Sequence, residues 1–141
     1  MSTIWGGMFC FKTDRGLVNT VPEGDPRVLE FFDIQFYQLY GWLGCHYRNY
    51  YQVPQFLGVT EIDLKDFAPN EQPYIHEDDP QIYMVELQAL LDFDWSQEFR
   101  DSRSRTCDLP TMTYAEKFSM FRDNLALVQD CAATHIVYWF D

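Results

Sequence analysis

Histidine and carboxylate side chains are the groups in this sequence that could hold a metal or transfer protons. No two of the three histidines are four residues apart, so the sequence contains no His-x-x-x-His zinc pair. One histidine and three acids at residues 76–79 offer nitrogen and oxygen ligands, but acids that precede a helix more often cap it. Asp92 and Asp94 would exchange protons only if burial shifted one pKa. These patterns predict no catalytic residue, no metal and no cofactor.

Cysteine chemistry is also weakly supported. Four cysteines are scattered without a Cys-x-x-Cys pair, in a chain long enough to fold without disulfides, which predicts reduced thiols and a cytoplasmic location. Cys45 and His46 are neighbours, but adjacent side chains of an extended segment point apart, so adjacency does not make them nucleophile and base. The sequence has no glycine-rich phosphate loop and no Gly-x-Ser-x-Gly nucleophile motif.

The charge of the chain disfavours direct binding to nucleic acid. Its 141 residues include 22 acids against 10 Lys and Arg, which gives a net charge of -12. No apolar run approaches the roughly 20 residues of a bilayer span, and we expect no membrane partner. A hydrophobic content of 47% predicts one folded domain over residues 1–141.

The acidic excess is concentrated between Glu61 and Asp101, a stretch with twelve acids whose only basic residues are Lys65 and Arg100. Duplex DNA carries one phosphate charge per roughly 1.7 Å, so ten net carboxylate charges on one side would imitate about five base pairs. The alternative is a solvated acidic surface that favours solubility. Interleaved aromatic residues would serve as apolar anchors of a binding surface. The predicted binding residues are Glu61, Asp63, Asp66, Glu71, Tyr74, Glu77, Asp78, Asp79, Glu86, Asp92, Asp94, Trp95 and Glu98.

The first half of the chain predicts a hairpin followed by a long helix. Residues 4–12 and 16–21 flank a short turn with a glycine, which is typical of a β-hairpin. Asp25-Pro26 is a helix start, and apolar residues at helical spacing predict one helix over residues 26–43. Periodicity then fades, and prolines indicate an irregular segment from residue 47 to 80.

The second half predicts two helices and a final strand. Asp79-Pro80 again signals a helix start, and an apolar stripe indicates a short helix that ends near Asp92. Thr113 to Glu116 forms a capping box, which predicts a helix over residues 114–131. The apolar residues 135–140 favour a strand buried on both faces. The fold class is therefore α/β or α+β, with a single small layer of strands and about three helices.

Four short motifs lie in order along most of the chain: Leu-Tyr-Gly-Trp-Leu at 39–43, Arg-Asn-Tyr at 48–50, Asp-Phe-Asp-Trp at 92–95 and Val-Tyr-Trp-Phe-Asp at 137–141. They resemble a family of small, functionally uncharacterised bacteriophage proteins. Members typically open with Gly-Cys-Asp-Ile-His, carry Val-Arg-Asn at the centre and end near Phe-Trp-Phe-Asp-Asn. The family's histidines are replaced here. The resemblance implies a viral protein of bacteriophage or mobile-element origin that inhibits host nucleic-acid machinery.

Three functions follow as hypotheses. The first is a phage-encoded acidic inhibitor of a host defence or nucleic-acid enzyme, of the anti-CRISPR or anti-restriction type, that occupies a basic nucleic-acid-binding surface as a DNA mimic. The second is a small metal-dependent hydrolase or nucleotide-acting enzyme that binds Mg²⁺ or Mn²⁺. Its site would comprise Arg48, His76, Asp78 and Asp141. The third is a structural or assembly protein in which the aromatic residues of segments 31–42 and 47–51 form a homo-oligomer interface.

Overall fold

The computed structural model describes residues 5–76, 79–105 and 111–140. In these ranges the strands are β1 (Trp5–Thr13), β2 (Gly16–Asn19), β3 (Thr60–Ile62), β4 (Ile82–Glu86) and β5 (His135–Phe140). The helices are α1 (Pro26–Phe31), α2 (Tyr37–Trp42), α3 (Leu87–Asp92), α4 (Tyr114–Lys117) and α5 (Ser119–Asp130). All neighbouring strands are antiparallel, in the order β2-β1-β5-β4-β3. The predicted single layer of strands is confirmed and the class is α+β, while the described residues form five α-helices where about three were expected.

The predicted N-terminal hairpin is confirmed as β1 and β2. The hydroxyl of Thr13 donates to the carbonyl of Gly16 at 2.9 Å and closes the turn. Gly16 adopts a φ of +121°, a conformation that L side chains rarely adopt. Because its Cα also faces the carbonyl oxygen of Asp66, a β-carbon at this position would lie 2.7 Å from that oxygen.

β5 is the central strand, as its apolar sequence predicts. It pairs with β1 on one side and β4 on the other, and most of its residues are buried. The hydroxyl of Tyr138 donates to the carbonyl of Leu43 at 2.7 Å and ties α2 to the sheet. Burial of Tyr138 raises the pKa of its hydroxyl well above the ordinary value, so it stays a donor.

Helices cover one face of the sheet and build an aromatic core around Trp42. Side chains of alternate strand residues, such as Phe9 and Tyr138, meet the helices on this face. Phe31 and Tyr40 are fully buried in the same core. Most of the aromatic residues between 31 and 42 are therefore core residues, whereas Tyr47 and Tyr50 of the second aromatic segment are exposed.

An irregular segment covers the other face. Residues 63–76, which we call the covering segment, cross the sheet from β3 towards β2, and Ala68 N–H donates to Leu17 C=O at 2.9 Å. Phe67 packs there on the strand residues Met8 and Ile82. Within the described residues, the irregular region expected at 47–80 is confirmed, apart from the short edge strand β3 and two 3₁₀ turns.

The predicted helix over residues 26–43 is wrong in its middle, where the chain forms α1 and α2 separated by residues 32–36. The break lets the consecutive Phe31 and Phe32 both pack on Trp5, with ring centroids 5.9 and 4.7 Å away. It also frees the carbonyl of Ile34 to accept from the indole N–H of Trp5 at 2.7 Å. Burial of neighbouring aromatics therefore overrides helical periodicity.

The helix expected after Asp79-Pro80 begins later than predicted. Residues 82–85 are all buried and form β4, because successive side chains must enter both covered faces of the sheet. The chain then passes directly into α3, which ends at Asp92 as expected. The helix over residues 114–131 is interrupted once, at Phe118, and its predicted capping box at Thr113 is confirmed.

Within the described ranges, no helix is long and apolar enough to cross a membrane.

Candidate protein-binding groove

The β1 edge that faces β2 is only partly paired. Thr20 continues the register of β2 opposite Phe9 and donates its N–H to the carbonyl of Phe9 at 2.9 Å. The pairing ends there, because residues 20 and 21 are bends that turn the chain away from the ladder, and Pro22, which follows them, has no N–H to donate. The backbone groups of Gly7 point to this side, because those of alternate strand residues share a side. The N–H and the C=O of Gly7 form no hydrogen bond with any residue in the described ranges.

A groove of about 650 Å³ opens along this unpaired edge. Its floor is β1 from Trp5 to Met8, with the side chain of Trp139 beside Gly6. One wall consists of Val28, Leu29 and the residues that follow α1, and the other is residues 70–74 of the covering segment. The two layers that sandwich the sheet thus become the two walls of the groove.

Gly7 allows the first wall to approach the sheet. A β-carbon on Gly7 would overlap the ring of Phe32 and the carbonyl oxygen of Val137 on β5. A β-carbon on Gly6 would meet the indole of Trp139 at 3.6 Å, an ordinary contact. The glycine pair therefore has unequal roles, since only Gly7 is required by the packing.

The charged side chains that line the groove are carboxylates. Glu23 lies in the turn before α1, Asp33 lies just after it, and Glu71 belongs to the covering segment. The backbone N–H of Asn19 donates to Glu71 at 3.2 Å and orients this carboxylate. No Lys, Arg or His is among the lining residues in the described part of the chain. The groove consequently has a negative potential without a compensating cation.

Two large apolar side chains are exposed on opposite walls. Leu29 of α1 is 62% exposed, and Tyr74 of the covering segment is 85% exposed. Exposed apolar groups inside a charged rim are typical of protein-binding surfaces. Glu71 and Tyr74 are the two residues of this groove that also belong to the predicted binding set.

The other predicted acids that the structure describes lie on several different elements. Asp63 and Asp66 lie on the covering segment, where they accept backbone N–H groups of their own 3₁₀ turn. Glu61 is exposed on β3, and Glu86 is exposed at the end of β4. Asp79 is exposed as well, whereas residues 77 and 78, both predicted to bind, lie outside the described residues.

The acids at 92–98 lie with the helices, across the sheet from the covering segment. Asp94 accepts from the backbone and hydroxyl of Ser96, and Glu98 pairs with Arg100 at 2.7 Å. Asp92 accepts from Gln88 at 2.8 Å. These acids are largely engaged with their own local structure. Trp95 is 6% exposed and donates its indole N–H to Leu90 at 2.9 Å, so it is a core residue and not an exposed anchor.

The residues of the alternative metal-dependent site are not assembled in the described structure. Asp78 and Asp141 lie outside the described residues. Arg48 donates to the hydroxyl of Tyr50 at 2.8 Å, and the exposed His76 contacts the hydroxyl of Tyr74. Among the residues that the structure describes, no group of three His, Cys, Asp or Glu could hold a metal ion.

The described thiols are buried and free. Burial, together with the charge of Glu71, raises the pKa of Cys10 to about 12. Burial also raises the pKa of Cys45, while its neighbour His46 is exposed. Both thiols therefore stay protonated near neutral pH, and neither is a nucleophile. Cys10, Cys45 and Cys131 form no disulfide with one another, whereas Cys107 lies outside the described residues.

Asp101 is a buried carboxylate that stabilises the turn at 101–105. It accepts backbone N–H groups from Arg103 at 3.0 Å and from Ser104 at 3.1 Å. Burial alone would raise the pKa of Asp101, but the hydrogen bonds from Ser104 and the charge of Arg103 outweigh it. The pKa of the carboxyl is therefore held below its ordinary value, and its ionised form stabilises the fold.

We expect Asp101→Asn to lower the free energy of unfolding by about 1 kcal/mol at pH 7. The unfolded chain protonates Asp101 near its ordinary pKa of about 4, whereas the folded chain protonates it at lower pH. The stabilisation is thus complete above the ordinary value and is lost as the pH falls through the folded value. Urea denaturation of the wild type and of Asp101→Asn at pH 7 and near pH 3 measures this difference in the free energy of unfolding.

The exposed Asp92 provides the control, because Asp92→Asn should change stability by less than about 0.5 kcal/mol at either pH. A stability difference for Asp101→Asn that stayed constant between the two pH values would contradict the role of the charge.

The sequence contains a signal for the groove that the count of acidic residues did not use. Glycine within a strand often marks a close approach of another backbone or a ligand, and proline ends pairing. Both signals are present, in the Gly6-Gly7 pair and in Pro22, but their coincidence depends on the register of the hairpin. The register becomes known only from the structure.

The fold and the groove together define a small acidic α+β protein with an open sheet edge between two walls. No protein-family model, curated protein or solved structure matches the chain.

Proposed function

We propose that this protein is a non-catalytic inhibitor that binds a basic segment of a nucleic-acid-handling protein in the groove beside β1. The observation that carries the proposal is the groove of about 650 Å³ whose charged lining, in the described chain, is carboxylate only. An arginine or lysine that enters it would bring its charge to Glu23, Asp33 or Glu71. Its aliphatic stem would pack on Leu29 or Tyr74.

The net charge of -12 supports the same class of partner. A strongly negative protein attracts positive surfaces at long range and raises the rate of encounter, and salt weakens this attraction. Basic surfaces that bind nucleic acid are the common targets of such attraction. The protein would compete with nucleic acid by occupying part of that surface, which requires less than the complete DNA mimic that the acidic segment suggests.

The resemblance to bacteriophage proteins supports a bacterial target. It rests on the short motifs of this sequence, and it implies an anti-defence role such as inhibition of a CRISPR or restriction enzyme in the host cytoplasm. The proposal therefore places the partner among host proteins that contact DNA or RNA.

The test is a capture experiment from bacterial lysate with two variants of equal charge change. E23K/D33K reverses two exposed acids of the groove, whereas D92K/E98K reverses two exposed acids near the helices. We expect a basic nucleic-acid-binding protein to be retained by the wild type and by D92K/E98K, and to be lost with E23K/D33K. With the purified partner, E23K/D33K should slow association at least about tenfold at low salt, and the effect should shrink near 0.5 M salt.

Added nucleic acid should displace the retained partner, because the proposal requires competition for one surface. Equal slowing by the two variants would assign binding to net charge without a site. Unchanged association with E23K/D33K would refute the groove as the binding site.

A further inference from the structure

We propose that the partner segment binds as an added strand on β1, antiparallel or parallel to it, with its backbone hydrogen-bonded to Gly7. The inference rests on the proposed function and specifies its recognition mode: an extended segment that carries lysine or arginine side chains. A helix or a folded basic surface would not use the unpaired backbone groups in the same way.

The backbone of Gly7 is the key element. The pairing of β2 with β1 ends at Thr20, before this position, so both the N–H and the C=O of Gly7 face the groove without a partner from a described residue. A peptide in the next strand position would lie about 4.8 Å from β1 and satisfy both groups. On the opposite side of β1, Gly6 is already paired with Trp139 of β5.

The walls of the groove match the two sides of such a strand. Successive side chains of an extended peptide alternate between the two faces of a sheet. One set would meet Leu29 and Asp33 on the helical wall, and the other set would meet Tyr74 and Glu71 on the covering segment. Each wall therefore provides an exposed apolar side chain and a carboxylate, which suits the stem and the charge of lysine or arginine.

Charge also argues against a second copy of this chain as the occupant. An open edge strand is a template for pairing with an identical edge, but two chains with a net charge of -12 repel each other. A basic segment gains from the same charge. The lining carboxylates thus favour a positively charged peptide over self-association.

The experiment uses the full-length ¹⁵N-labelled protein and the eight-residue peptide acetyl-(Lys-Val)₄-amide, with acetyl-(Glu-Val)₄-amide as the control. Amide hydrogen exchange is followed by NMR. In the free protein, Gly7 N–H should exchange faster than Gly6 N–H, because only Gly6 is bonded within the sheet. Saturation with the lysine peptide should slow the exchange of Gly7 at least about tenfold and leave Gly6 within about twofold.

Each outcome decides between the proposals. Binding of the lysine peptide without protection of Gly7 would overturn strand addition and leave the proposed function standing. Absence of binding, or equal binding of the glutamate peptide, would overturn both. Protection of Gly7 that rises with protein concentration alone would identify a second copy as the occupant and overturn the basic segment. In E23K/D33K, protection of Gly7 by the lysine peptide should require a higher peptide concentration.

Discussion

Trp42→Ala should lower the free energy of unfolding by about 3–5 kcal/mol, the cost of removing a large buried aromatic side chain. Trp42 is 1% exposed, and six aromatic rings surround it with centroids 4.9–6.2 Å away. These rings belong to Phe56, Phe93, Trp95, Tyr114, Phe118 and Phe121. Because they come from separate parts of the chain, the cavity would loosen the contacts between α2, α4 and α5 together.

Urea denaturation followed by circular dichroism measures this loss. Leu57 is 99% exposed, so Leu57→Ala should leave the free energy of unfolding within about 0.5 kcal/mol of the wild type and serves as the control. Trp42→Phe keeps a ring in the centre of the cluster and should fall between the two. A loss below about 1 kcal/mol for Trp42→Ala would show that the aromatic core does not depend on this side chain.

Gly7→Ala should lower the free energy of unfolding by about 3 kcal/mol, the upper part of the usual cost of overpacking. The added methyl group would overlap the carbonyl oxygen of Val137, which is fixed by the sheet, and the ring of Phe32. The ring of Phe32 could move, but the backbone of β5 could move only by distorting the ladder with β1. The entropic advantage of alanine over glycine, about 0.5–1 kcal/mol, does not offset this overlap.

Gly6→Ala is a matched control in the neighbouring residue. Its methyl group would make an ordinary contact with Trp139 at 3.6 Å, so stability should stay the same or rise by up to about 1 kcal/mol. Thermal unfolding of the two variants, side by side with the wild type, measures the difference. Equal melting temperatures would contradict the packing assigned to Gly7.

Local signals in the sequence predicted the elements that depend only on nearby residues. The side chain of Asp25 accepts from Arg27 N–H at 2.9 Å and begins α1, and Thr113 and Glu116 cap α4 in the expected reciprocal way. A cap depends on residues at most a few positions apart, so the sequence contains all the information it requires.

Elements that depend on distant partners were predicted less well. The pattern from residue 26 to 43 is close to helical, but the burial of Phe31 and Phe32 against Trp5 of β1 divides it. Residues 82–85 show no alternation because both faces of the sheet are covered, so a strand and a buried helix look alike in sequence. In both cases the deciding contact lies in another part of the chain.

The candidate groove shows the same contrast between features set by nearby residues and features set by distant ones. The count of acids in residues 61–101 described the charge correctly, but the sheet separates the covering segment from the acids at 92–98. Glu23 and Asp33 lie outside that stretch and still reach the groove with Glu71. Charge composition therefore predicts a basic partner, and this stays a prediction, while the groove could be located only from the hairpin register.

The opening beside β1 has an evolutionary consequence, because one of its walls depends on a residue without a side chain. Only glycine at position 7 lets the ring of Phe32 approach the sheet, since a β-carbon there would overlap that ring and the carbonyl oxygen of Val137. Every substitution of Gly7 adds a β-carbon, so we expect descendants of this gene to keep glycine at this position, whereas Gly6 has room to vary.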